Sequence, residues 1–519
     1  MALIWNPPVE VSKQEERILR KCKKSKLFVF LRLHRHELFD ESFQRELAAM
    51  YPERARGKEP VPPALLAMVT LLQAALGVSD EEAVEYAAFE RRWQMLLDCL
   101  GQEDAPFAQG SLFNFRQRLI SRDLDRRLLE RTVELAGRTK GFGPRALRAA
   151  FDASPLFGAG RVEDTFNLIG HAARDLLGSV AKRLGVDLAQ AAHRAGIPLL
   201  TGTSLKAALD IDWDDRQAKK KALEQLLAQV RSLEAFVERE LSAELQHPPI
   251  SDQLSTLRQV AGQDIEPDPD GGGVRIKQGV AKERRISVRD GQMRHGRKSK
   301  SSRVDGYKRH IALDLNEKLI LAVAVTPANR PEAEATDDLL ADVRRPGHIV
   351  EALHIDRGYL AAPAVALERA RGTRVLCKPF PLRNAGRFTK ADFMLDMDQR
   401  SITCPESQTV PLRLGHVARF PAPVCRDCRS RSRCTTAATA GRSLSIHPAE
   451  PLLLELRERR ADPAGRAELR ERVFVEHGLA GIARSQGRRA RYLGLRKNLF
   501  DLRRHAAVAN LHTAARAAA

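Results

Sequence analysis

Residues 353–360 read "LHIDRGYL" and close a short apolar run, "HIVEALHI", that climbs to Ile355. The run reads as a strand. It finishes on a bare carboxylate, Asp356, and then Arg357-Gly358-Tyr359. A carboxylate at the edge of a buried sheet is poorly solvated unless a cation compensates it, so the stretch asks what meets Asp356 there. Its surroundings alternate between strand and helix. "YKRHIALDL" and "KLILAVAVTP" read as a β-hairpin around Asn316-Glu317, and "RPEAEATDDLLADV" reads as a helix. "APAVALERARG" reads as a helix ended by Gly372, and "TRVLCKP" as one more strand. Such alternation implies a mixed β-sheet flanked by helices, an α/β core.

A second strand-like run, "LRAAFDASPLFG", carries Asp152. Strand ends are where open α/β sheets build sites. One such aspartate reads as a turn former or helix cap. Two in matching places point to divalent-metal ligands, because Mg²⁺ prefers oxygen and needs few carboxylates. A third acid comes from "ELRERVFVEHGLAGIARSQG", where Glu476 lies beside the apolar stripe Val475, Leu479 and Ile482, one turn after Arg472. By spacing alone that pair is equally well a surface ion pair at i, i+4.

The chain has 519 residues and a formal charge of +20, which suggests a polyanionic partner, nucleic acid being the commonest. Its first residues lack a basic region followed by an apolar core, and its longest apolar stretches are too short to span a bilayer, so a cytoplasmic chain is expected. Four of its seven cysteines, Cys404, Cys425, Cys428 and Cys434, follow the pattern C-x20-C-x2-C-x5-C. In a reducing compartment this spacing points to a tetrahedral structural Zn²⁺ in a zinc-ribbon-like insertion, the alternative being free thiols. Cys22, Cys99 and Cys377 read as small core residues.

The expected organisation is a helical N-terminal DNA-binding domain over 1–145 and the first core strand within 146–163. A mainly helical insertion and flexible linker follow over 164–290, and the core resumes over 291–384. The cysteine-bearing insertion takes 385–450, and a catalytic helix with a basic helical tail takes 451–519. In the first part, "PPALLAMVTLLQAALG", "EEAVEYAAFERRWQMLLDCL" and "SLFNFRQRLI" read as three helices, the third bearing Arg116 and Arg118. That order is compatible with a DNA-binding unit and equally with an ordinary bundle. "IEPDPDGGGVRIKQG" reads as a flexible connection. The stretch "RHGRKSKSSRVDGYKRH" offers Arg297, Lys298, Lys300, Arg303, Lys308 and Arg309 for phosphate contact, and "GRRARYLGLRKNLFDLRRH" is a second basic stretch.

Together, "LRAAFDASPLFGAGRVEDTFNLIGHA", "RHGRKSKSSRVDGYKRHIALDL", "VTPANRPEA", "LHIDRGYL" and the C-terminal "RERVFVEHGLA" with "QGRRARYLGLRKNLFDLRRHAAVANL" resemble bacterial insertion-sequence transposases with a DDE, ribonuclease-H-like core. The resemblance covers most of the chain in order. It implies a triad of Asp152, Asp356 and Glu476 holding two Mg²⁺ or Mn²⁺ ions that cut and join DNA at element ends. It also implies self-association on double-stranded DNA. Family members often show Tyr, Arg, Glu and Lys at fixed spacing; here Arg472 and Glu476 fit, Leu469 stands for the Tyr and Ala483 for the Lys, and Arg472 and Arg484, the latter next door to Ala483, are the candidate DNA contacts. Gly358 is expected to turn the backbone sharply and leave room at the sheet edge. Two alternatives stay open: a captured, non-catalytic DNA-binding regulator, and a metal-dependent nuclease without strand transfer.

Overall fold

The apolar run ending at Asp356 is an inner strand of a six-stranded mixed sheet. The computed structural model describes residues 3–518 apart from 52–59, 141–145, 203, 270, 280, 282 and 300. The sheet strands are β1 (Ala146–Phe157), β2 (Arg294–Arg297), β3 (Arg303–Asp314), β4 (Ile320–Pro327), β5 (Ile349–Ile355) and β6 (Arg374–Cys377). β1 runs antiparallel to β3 on one side and parallel to β5 on the other, and β6 continues the parallel part. The outer edge of β3 is shared, β2 pairing with Arg303–Gly306 and β4 with Tyr307–Leu313. β1 and β5 are bounded on both sides, so their backbone groups are paired within the sheet and their centres are apolar. The expected hairpin is β3–β4, and the expected helices and strands on either side of Asp356 are present.

The N-terminal helices are not a separate lobe. One hydrophobic core runs from Phe28 and Trp93 through Phe151 and Leu353 to Phe500 and Leu511. One of its helices, α1 (Pro63–Leu76), is buried along nearly its whole length and stops at Gly77, whose φ of 76° is left-handed backbone that glycine adopts without strain. The expected second helix breaks at Glu90, whose carboxylate accepts from the Trp93 N–H at 3.0 Å and so caps a new one. Arg116 is tied to both oxygens of Asp80 at 2.5 and 2.6 Å, and the Arg118 guanidinium sits 4.5 Å from the Tyr51 ring. Both cations of the third helix, which suited a DNA-binding unit and an ordinary bundle alike, are therefore engaged within the protein.

The chain leaves β1 into a helical insertion, α2 (Thr165–Leu184), α3 (Arg216–Glu240) and α4 (Ile250–Gln263), which has its own core of Leu176, Leu226, Leu233 and Leu257. The expected flexible connection is instead a small hairpin of Ile265–Pro267 with Val274–Ile276. Arg284 pairs with Asp264 at 2.7 Å where the chain returns to the sheet. Two C-terminal helices, α5 (Val473–Gln486) and α6 (Leu495–Ala517), close the core. Asn510 on α6 clamps the start of β4, accepting from the Ile320 N–H at 2.7 Å and donating to its carbonyl at 2.9 Å. Arg503 reaches Asp125 at 3.2 Å. The second basic stretch thus turns much of its charge inward.

Among the described residues no single helix is long and apolar enough to cross a membrane. The bent pair Pro63–Leu76 and Asp80–Phe89 passes only by length and composition, and the first of these helices is core.

Arg309 corrects one expectation. It is 2% exposed, so it does not face DNA. Its guanidinium donates to Ser154 Oγ, Gln486 Oε1 and the Gly487 carbonyl, each at 2.9 Å, and burial lowers its pKa to about 10 despite the nearby Asp501. It therefore braces β3 against β1 and the end of α5. Arg309→Ala is expected to cost roughly 2–4 kcal/mol, because buried acceptors lose a charged donor. Urea denaturation of the variant and wild type measures this.

Candidate active site at the end of the parallel strands

Asp152 sits within β1 and Asp356 directly after β5. The paired register of these strands ends at Ala150 with His354, and continuing it by two residues puts Asp152 level with Asp356. The two carboxylates therefore meet at one place because parallel strands run in step. Asp152 is mostly buried and accepts from the Ala153 N–H at 2.9 Å. Burial raises its carboxyl pKa, Arg472 and the Ala153 N–H oppose that, and the Asp356 charge adds to the rise.

Helix α5 lies over β1 and β3. Gly478 allows the approach: a Cβ there would stand 3.1 Å from Leu313 Cδ1 and 3.2 Å from Ile311 Cδ1, and Ile311 is the cross-strand partner of Asp152. Val475, Leu479 and Ile482 form its buried stripe, as expected. Arg472, at the N-terminus of this helix, holds Asp152 Oδ2 at 3.1 Å with one nitrogen and Glu476 Oε1 at 2.6 Å with the other. One guanidinium thus joins the first and third candidate acids. Glu476 is 51% exposed in its side chain, so it is held by that single cation while the aspartates are fixed by strands. Arg472 itself lies inside the site between two acids, where a contact to DNA was expected.

A fourth carboxylate lies close by, and the sequence reading missed it. Glu332 begins a short turn after β4, and its pKa is raised by burial, opposed by Lys308, and raised further by Asp356 and Asp152. In "RPEAEA" nothing in the sequence sets it apart from Glu334. Tyr359 is fully buried below, its hydroxyl 2.8 Å from His310 Nδ1, and His310 Nε2 is 2.9 Å from Thr326 Oγ1.

The basic residues separate by exposure. Arg297, Lys298, Arg303 and Arg484 are exposed. Lys308 is half-buried and donates to the Arg330 carbonyl at 2.9 Å, and Lys300 lies outside the described residues. The four cysteines of the insertion line one cavity of about 320 Å³ beside Phe388, Phe393 and Phe420. Burial raises the Cys434 thiol pKa, Arg442 opposes that, and the other three thiols add to it. Cys22, Cys99 and Cys377 are buried, as expected.

Among the described residues no group of three or more His, Cys, Asp or Glu side chains is arranged so that it could hold a metal ion. What fits is the chemistry of the donors. Asp152 and Asp356 offer oxygens suited to Mg²⁺ or Mn²⁺ at one sheet end, and the cysteine cavity offers four sulfurs suited to Zn²⁺.

A central strand antiparallel to one neighbour and parallel to the next, with acids at the parallel end, is the ribonuclease-H-like arrangement of enzymes that act on nucleic-acid phosphodiesters. Residues 270–407 and 403–514 each match a family model described as "Transposase DDE domain", and residues 20–118 match one described as "Transposase domain (DUF772)". No curated protein and no solved structure matches the chain. The chain belongs to the DDE transposases of insertion sequences, metal-dependent enzymes that cleave and transfer DNA. Asp356 and Glu476 fall inside matched stretches, whereas Asp152 lies between them, so its support is geometric.

His354 lies two residues before Asp356, and among the described residues neither ring nitrogen has a hydrogen-bond partner. Burial lowers its pKa from 6.5 to about 4, lowers His505 to about 4, and lowers His310 to about 3. All three rings are neutral in the folded chain, while the unfolded chain takes up their protons near pH 6.5. Stability is therefore full above that pH and falls as pH drops towards about 4, by up to ~1.4 kcal/mol per pH unit for each ring. His354→Leu loses no hydrogen bond and is expected to flatten this acid limb, read from urea midpoints between pH 7 and pH 4.

Proposed function

We propose that Asp152, Asp356 and Glu476 form the catalytic triad of this transposase, cutting DNA at the ends of an insertion sequence and joining the freed 3′ hydroxyl to target DNA. The carrying observation is that adjacent parallel strands bring Asp152 level with Asp356, under a helix whose Arg472 holds Asp152 and Glu476 together. These acids would hold Mg²⁺ or Mn²⁺, two ions in the usual scheme for phosphodiester displacement. A bound divalent cation supplies Lewis-acid stabilisation of the charge that develops on the phosphate. The protein's part is to hold the aspartates in register, to orient the phosphodiester, and to limit water at the site. Arg472 offsets the repulsion between the acids and is placed to hold a phosphate oxygen when it turns from Glu476.

Arg297, Lys298, Arg303 and Arg484 are exposed cations suited to sequence-independent phosphate contact, with affinity that falls as salt rises. The chain is read as cytoplasmic and as a homodimer or larger assembly on paired ends. Its cysteine insertion is read as a zinc-ribbon-like support that takes no part in the chemistry.

Asp152→Ala, Asp356→Ala and Glu476→Ala are each expected to abolish cleavage of a labelled element end while retaining folding and DNA binding. Normal cleavage by any one of them removes that residue from the triad. Cleavage without joining by the wild type would favour a nuclease.

Purified under reducing conditions, the protein is expected to hold about one Zn²⁺ per chain, as four thiolates complete a tetrahedral site. Cys425→Ser and Cys428→Ser should lose it and melt at lower temperature. Elemental analysis alongside thermal denaturation decides the point.

A further inference from the structure

Gly358 was expected to serve a sharp turn, yet it is not among the glycines with positive φ. What it provides is space. A Cβ on Gly358 would overlap Glu332 Oε2 and lie 3.0 Å from its Cδ, so the Glu332 carboxylate rests directly on the glycine backbone, two residues after Asp356. The loop that carries Glu332 is held by Lys308, which donates to the Arg330 carbonyl at 2.9 Å. Glu334, on the same turn, points away to an exposed position 3.8 Å from Arg330.

Among the described residues no hydrogen bond or ion pair ties down the Glu332 carboxylate, whose raised pKa reflects burial first and the two aspartates after Lys308. A half-buried carboxylate placed beside two others costs free energy unless a cation answers it. Glu476, by contrast, is exposed and already paired with Arg472.

We propose that Glu332 is a fourth acid of the catalytic centre, lodged by Gly358 beside Asp152 and Asp356, and that it joins them on one divalent cation when the ion draws the carboxylates together. The inference rests on the reading of Asp152 and Asp356 as the cation-binding pair. It gives Gly358 a role that a hinge or turn would not: any side chain there would push the Glu332 carboxylate out.

The test measures Mn²⁺ binding to the full chain without DNA, by the electron paramagnetic resonance signal of free Mn²⁺, together with metal-free thermal midpoints. Glu332→Gln is expected to weaken Mn²⁺ binding by at least about tenfold with a metal-free midpoint no lower than that of wild type. Glu334→Gln should bind as wild type does. Gly358→Ala should weaken binding like Glu332→Gln, and combining the two should cost little more than either, because both remove one carboxylate from one site.

Asp356→Asn separates this inference from the reading beneath it. If Asp356→Asn loses Mn²⁺ and Glu332→Gln binds as wild type, Glu332 is no part of the centre, and a lower metal-free midpoint in that case marks it as a packing residue. If Asp356→Asn also binds Mn²⁺ normally, the cation-binding pair itself is overturned. Should Gly358→Ala fail to fold, Glu332→Gln alone decides.

Discussion

Repulsion between carboxylates at the end of a buried sheet governs the architecture around it. Asp152 and Asp356 are brought level by the parallel pairing of β1 with β5, which ends two residues before them. Glu332 adds a third negative charge from the β4 side and Glu476 a fourth from α5. Burial is the first cause of the raised pKa values of Asp152 and Glu332, and the charges of the neighbouring acids add to it. Among the described residues Arg472 is the one cation paired with two of these acids, and Lys308 opposes the rise at Glu332. The arrangement is costly without further cations, which suits a centre meant to receive divalent metal and phosphate.

A site under such strain needs a frame that does not yield. Arg309 ties β3 to β1 and to the last turn of α5, so the sheet and the helix bearing Glu476 share one brace. Asn510 and Arg503 on α6 do the same between the sheet and the N-terminal helices. The basic composition thus serves two ends. Part of it is spent on buried guanidinium contacts within the fold, and the exposed remainder is left for phosphates.

Much of the fold was legible because local signals agreed with burial. "HIVEALHI" is a strand, α1 starts at its proline and stops at Gly77, and Val475, Leu479 and Ile482 pack inward at helical spacing. Where the sequence misled, a partner far along the chain had intervened. Arg309 looked like its exposed neighbours, and only Ser154, Gln486 and Gly487 make it internal. The Gly-rich connection looked flexible, yet Ile265–Pro267 and Val274–Ile276 pair across it.

By itself the sequence determined most of the elements, the strand-terminal position of Asp356 and the resemblance to a transposase family, since hydrophobic period and motif order are local properties of a chain; the run expected to end on Asp152 continues as strand to Phe157, because β3 pairs with it along that whole length. The sequence could not decide which charges meet. Glu332 and Glu334 differ by two positions in one acidic turn, and Gly358 lies 26 residues past the first of them. Their unequal roles arise only when β4 and β5 bring that turn and that glycine together, because electrostatic coupling depends on distance and burial in space and not on separation along the chain.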